Sequence, residues 1–162
     1  MKSTKYLAFL IMSLLFSSCH TEEKNKINSN LSEATKYLYM ITNESPYSIM
    51  NQGNFTWLCE VSGFPTNFQS AQFMYANGSW NNAGSSLSRI ESTILIASKI
   101  GNPELVSELQ NLKSIIAYIR QNAFGAKDNY NNSKYDYYIS EMLNLSRNAL
   151  MQIEKCRQIL SS

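Results

Sequence analysis

Over most of the chain the apolar positions recur at three- and four-residue steps, the period of a helix with one buried face. Leu31, Ala34, Leu38 and Ile41 open the series. Ser45-Pro46 should close this first helix, because proline disfavours helical backbone at the residue before it. The clearest stretch is Leu105, Leu109, Leu112, Ile116, Ile119 and Ala123. Its 4-3-4-3-4 spacing makes a seven-residue seam of the kind used in helix bundles. Leu87, Ile90, Ile94 and Ala97 form a stripe just before it. Between the two, Gly101-Asn102-Pro103 reads as a helix exit, an N-cap and a first-turn proline. That sequence predicts a tight turn and an antiparallel neighbour. A loop over 125–132 should follow, then a last helix over 133–160. Tyr138, Met142, Leu145, Ala149, Ile153, Cys156 and Leu160 would line its inner side.

The middle of the chain is less regular. Phe55, Leu58 and Val61 suit a short helix, while Thr56, Trp57, Cys59 and Val61 would also suit a strand. Gly53 and Gly63 bound the segment in either case. Thr66 opens "TNFQ", a capping-box pattern with Gln69 three residues on. It predicts a short helix through Phe68, Ala71 and Tyr75 that stops at Asn77-Gly78. The following "NGSWNNAGSS" is rich in turn residues and reads as a loop. The expected architecture is all-α: a small antiparallel bundle of about four main helices with short extra helical pieces, over residues 31–162.

The N-terminal end follows another pattern. Lys2 and Lys5 precede an apolar run over 6–16, and Ser17, Ser18 and Cys19 end it. A basic head, a short apolar stretch and small residues are the parts of a secretory signal peptide. The run would reach roughly 16 Å as a helix, about half of a bilayer core of about 30 Å. Phe16-Ser17-Ser18-Cys19 resembles the signal box of bacterial lipoproteins, with Phe16 where Leu is usual. The resemblance covers about the first nineteen residues. It implies removal of residues 1–18 and acylation of Cys19, the lipidation site, giving a protein tethered to a membrane without spanning it. Two or more acyl chains anchor a protein stably, whereas one binds marginally.

The polar segment 19–30, beginning "CHTEEKNKINSN", reads as a flexible lipidated tether. His20 stands where an Asp favours inner-membrane retention in enteric bacteria, which leans toward the outer membrane. Glu22-Glu23 resembles the acidic surface-export signal of Bacteroidetes lipoproteins, although simple solvation explains two glutamates equally well.

Charge narrows the partners. The chain has 14 Lys and Arg against 12 Asp and Glu. Removing Lys2 and Lys5 balances the two, so there is no basic excess for nucleic acid. The partners this leaves are the membrane, through the lipid, and a protein of the cell envelope; a glycan is also compatible. Cys59 and Cys156 remain after Cys19, an even pair in an exported protein and a candidate disulfide. Two separate buried thiols are the alternative.

Residues for reaction chemistry are mainly absent from the sequence. The only histidine is His20, beside the lipidation site. A Ser-His-Asp or Cys-His site and a histidine-based zinc site therefore have no base or ligand. No glycine-rich phosphate loop occurs. "DNYNNSKYDYYI", from Asp128, lacks the central Gly and the final Glu of a calcium loop. Glu104 and Glu108 lie one turn apart, but at a helix start where the dipole favours them anyway. No catalytic residue, metal ligand or cofactor is assigned.

Aromatic residues are the most suggestive remainder. Tyr130, Tyr135, Tyr137 and Tyr138 crowd one junction among Asn129, Asn131 and Asn132. Neighbours on a helix sit about 100° apart, so Tyr137 and Tyr138 cannot both face the core. The candidate binding patch is Tyr130, Tyr135 and Tyr137, with Tyr75 and Trp80 near Asn81 and Asn82. Tyrosine suits protein interfaces, and Asn with Tyr suits sugar rings. The resulting expectation is a membrane-anchored, non-enzymatic lipoprotein serving as a protein-interaction subunit, such as an accessory component of a secretion or transport complex. Small lipoproteins of the Bacteroidetes type VI secretion membrane complex have this size and export route. The alternatives are a glycan- or peptidoglycan-binding surface lipoprotein and an immunity lipoprotein against a toxin.

Overall fold

The computed structural model describes the backbone of residues 3–162, with side chains from residue 21 onward. The helices are α1 (Ser3–Asn43), α2 (Pro46–Met50), α3 (Phe55–Ser62), α4 (Phe68–Lys99), α5 (Pro103–Asp128) and α6 (Tyr135–Ser161). No strand occurs among the described residues.

Side-chain pairings give the topology. Tyr75 of α4 reaches Ile41 of α1, Ser86 reaches Ala34, and Asn30 reaches Ser92. Rising numbers on α1 meet falling numbers on α4, so the two are antiparallel. Trp80 with Arg120 and Glu91 with Lys113 give the same sense for α4 and α5. Gly125 with Tyr138 and Glu108 with Gln152 repeat it for α5 and α6. α6 then packs on α1, with Arg157 near Ser32 and Thr35, and the ring closes as an up-down-up-down bundle.

All four long helices use one seam rule. On α5 the buried positions are Leu105, Leu109, Leu112, Ile116, Ile119, Ala123 and Ala126. On α4 they include Ala76, Ser79, Ala83, Ser86, Ile90, Thr93 and Ala97, with the same alternation of three and four. The small residues of α4 face the Leu and Ile seams of α1 and α5, so large side chains fill the space that small ones leave. Hydroxyls buried on this seam find acceptors. Ser86 donates to the Ala34 carbonyl at 3.3 Å and Thr93 to the Arg89 carbonyl at 2.7 Å.

Several expectations from sequence need correction. The helix from Phe68 does not stop at Asn77-Gly78, and "NGSWNNAGSS" is not a loop. α4 runs unbroken to Lys99. Its Ser, Asn and Gly residues are weak as a helix signal, yet burying Ser79, Ala83 and Ser86 against neighbouring helices outweighs propensity. The cap of α4 is Asn67, not Thr66: its side chain accepts from the Ser70 amide at 2.9 Å. The ambiguous segment is helical, ended by Gly63 at φ 71°. α5 passes through Gly125 and ends at Asp128, so the loop is shorter than 125–132. On α6, Tyr135 and Ser146 are buried, while Tyr138 and Leu145 are only partly so. The expected tether is also too long, because α1 continues through its described part. Ile27 is 0% exposed, one turn before Leu31, and extends the seam backwards.

Two expectations held at the turns. α1 ends just before Ser45, which caps α2 with Pro46 in the first turn. Gly101 takes φ 70°, and Asn102 caps α5 by accepting from the Leu105 amide at 3.0 Å. Among the described residues, no helix is long and apolar enough to cross a membrane.

Candidate functional site

The proposed aromatic patch separates into core and surface. Tyr75 is buried, and its hydroxyl donates to the Ile41 carbonyl at 2.8 Å. Burial pushes its phenol up to about 12. Tyr135 is buried too; its hydroxyl donates to the Gln72 carbonyl at 3.3 Å, and burial likewise raises its pKa. Both phenols are structural, so neither belongs to an exposed binding patch. Tyr130 is half-buried and meets the Phe73 ring edge-on at 5.4 Å. Tyr137 is 63% exposed and leans on Tyr138. The helical period, which forbids burying both 137 and 138, accounts for that split.

Cys59 and Cys156 are both buried and free. They lie at opposite ends of the bundle, which overturns the candidate disulfide. α3, which carries Cys59, borders a groove with Glu44, Phe73 and Asn77. Cys156 lies about 21 residues down α6 from that end, roughly 30 Å along the helix. A disulfide needs Cα atoms within about 7 Å. Burial raises the Cys156 thiol to about 11, with the nearby Glu108 carboxylate adding to the shift.

Glu108 is tied into the scaffold. Lys155 Nζ lies 2.6 Å from its carboxylate, and the Gln152 amide donates to it. Lys155 first and Gln152 second hold its carboxyl below the usual range. Among the described residues, no group of three or more His, Cys, Asp or Glu side chains is placed to hold a metal ion.

Two surface features stand apart from this scaffold. One is the outer face of α3. Phe55 and Cys59 point inward, while Trp57 and Val61, one turn apart, are 59% and 66% exposed. The other is a groove of about 570 Å³ across α4, between Tyr37 of α1 and Arg120 of α5. The Arg120 guanidinium stacks on Trp80, with Cζ 4.7 Å from the ring centre. Lys127 Nζ lies 4.8 Å from the same ring. Sequence reading singled out Trp80 and Asn81 but not Arg120, whose neighbours lie some forty positions earlier in the chain.

No protein family, curated protein or solved structure matches the chain. The signal segment over 1–18 and the lipidation site Cys19 lie outside the residues described with side chains.

Proposed function

We propose that this protein is a non-enzymatic, lipid-anchored subunit of the bacterial outer membrane that docks an envelope protein through the outer face of α3. The observation that carries the reading is the exposure of Trp57 and Val61 on one short helix. Full burial of a large apolar side chain is worth roughly 1.5–3 kcal/mol, and Trp57 and Val61 each give up more than half of their cover. Tyr47, 69% exposed, and Met50 on neighbouring α2 add to the apolar character of this end.

Position favours a protein over the lipid surface. α3 sits at the end of the bundle where α1 finishes. A lipid on Cys19 would attach about 24 residues, roughly 36 Å of helix, before the end of α1. Attachment there keeps the opposite end of the bundle near the bilayer and leaves α3 far along the axis. The balanced charge of the chain without its leader also fits a protein partner better than a nucleic acid.

The test uses the full chain expressed in its own envelope and solubilised gently. Wild type should co-purify with a defined envelope protein. The double variant Trp57→Ser, Val61→Ser should stay in the membrane fraction and lose that partner. Cys19→Ser should leave the membrane. An unchanged set of partners in the double variant would reject the docking face, and a membrane-bound Cys19→Ser chain would reject the anchor.

A further inference from the structure

The groove over α4 has an electrostatic feature that the docking role does not use. Lys26, Arg89, Lys113, Lys155 and Arg157 each pair with a carboxylate. Among the described residues Arg120 has no such ion pair. Its Nε is buried and has no hydrogen-bond partner. Trp80 lies against the guanidinium, and beyond the buried Nε the groove reaches the side chain. Lys127, on the same ring, adds a second cation that has no carboxylate pair among the described residues. Arg89, also in the groove, shares its charge with Glu33 at 2.7 Å. The local balance is therefore positive on a protein that is nearly neutral as a whole.

The floor of the groove is polar. Asn81, Ser85 and Ser88 follow one face of α4, and Tyr37 stands on the far wall. Gly84 keeps the floor low beside Arg120: a Cβ there would lie 3.4 Å from Nε. Hydroxyls and an amide donate and accept, which matches a polyol better than an acyl chain. The planar fork of arginine matches a carboxylate.

We propose that this groove binds a carboxylated sugar, with the carboxylate on the outer Nη end of the Arg120 guanidinium and the ring hydroxyls over Ser85, Ser88 and Asn81. The site is independent of the α3 docking face and of the lipid anchor. An acidic peptide shares the carboxylate but lacks the ring of hydroxyls, so it serves as the discriminating competitor.

The experiment is a calorimetric titration of the purified full chain with trigalacturonate, with neutral galactotriose and with triaspartate. Trigalacturonate should bind, more weakly as salt is raised, and the other two should bind at least about tenfold more weakly. Arg120→Gln should lower affinity by at least about tenfold through loss of the charge-assisted contact. Ser88→Glu, at an exposed position that the fold does not need, should do the same by placing a carboxylate in the groove. Absence of trigalacturonate binding at millimolar concentration would overturn the proposal. So would equal affinity for galactotriose, equal affinity for triaspartate, or wild-type affinity in the Ser88→Glu chain.

Discussion

The Tyr75 hydroxyl donates to the Ile41 carbonyl at 2.8 Å and so closes the end of α1 from across the bundle. The last carbonyls of a helix have no partner within it. The amide that would have served Ile41 belongs to Ser45, which instead donates to the Ser48 hydroxyl at 2.8 Å. Tyr75 is 2% exposed, so water cannot replace it. Tyr75→Phe should lower unfolding stability by about 1–3 kcal/mol, the cost of a buried acceptor without a donor. Urea denaturation of the two chains measures it; an unchanged midpoint would show that the bond contributes nothing.

The same phenol sets an alkaline limit. Burial raises Tyr75 from 10.0 to about 12 and also raises Tyr135. The unfolded chain ionises these phenols first. The stability they contribute is complete below pH 10 and is lost as pH rises through the folded values. Thermal unfolding midpoints should fall above pH 10, with the tyrosinate absorbance of the two buried phenols appearing together with unfolding.

Two glycines inside helices should respond in opposite directions. A Cβ at Gly78 meets nothing within 4 Å. Gly78→Ala should therefore stabilise by about 0.5–1 kcal/mol through helix propensity. A Cβ at Gly125 would lie 2.7 Å from the Tyr138 ring. Gly125→Ala should destabilise by about 1–3 kcal/mol, as overpacking does. Destabilisation by Gly78→Ala would argue against an unbroken α4.

The two cysteines should behave as buried thiols. In a Cys19→Ser chain without reductant, a thiol reagent at neutral pH should react slowly with the native protein. After denaturation it should titrate both Cys59 and Cys156. The raised pKa of Cys156, about 11, slows its attack further by removing thiolate. Finding no free thiol after denaturation would mean that a bridge had formed.

The Glu108 contacts to Lys155 and Gln152 join α5 to α6. Because these partners depress the Glu108 pKa below 4.5, the stability is present above that value and lost as pH falls through the lower folded one. A Glu108→Gln chain should therefore lose less stability on acidification than wild type. Parallel acid profiles for the two chains would remove Glu108 from the account.

The sequence by itself determined the parts of the fold that are local. The 4-3-4-3-4 spacing on α5 gave its buried face, because a helix repeats side-chain direction within two turns. Gly101-Asn102-Pro103 gave the turn, because left-handed exit, cap and proline are each properties of single residues. The same local period put one of Tyr137 and Tyr138 in water.

Only the tertiary structure decided what depends on a neighbour's surface. Ser79, Ala83 and Ser86 look like loop residues until Leu and Ile seams cover them and make their smallness a packing advantage. Ile27 looks like one apolar residue in a polar tether until Leu31 and Leu38 continue its row into the core. Tyr75 and Tyr135 share their chemistry with Tyr137, but a carbonyl across the bundle holds each of them inside. The groove is the extreme case. Tyr37, Trp80 and Arg120 lie about forty residues apart in the chain, and only the antiparallel return of α4 and α5 makes them neighbours. Side-chain period acts over a few residues, whereas burial and charge balance are set by whichever helices meet.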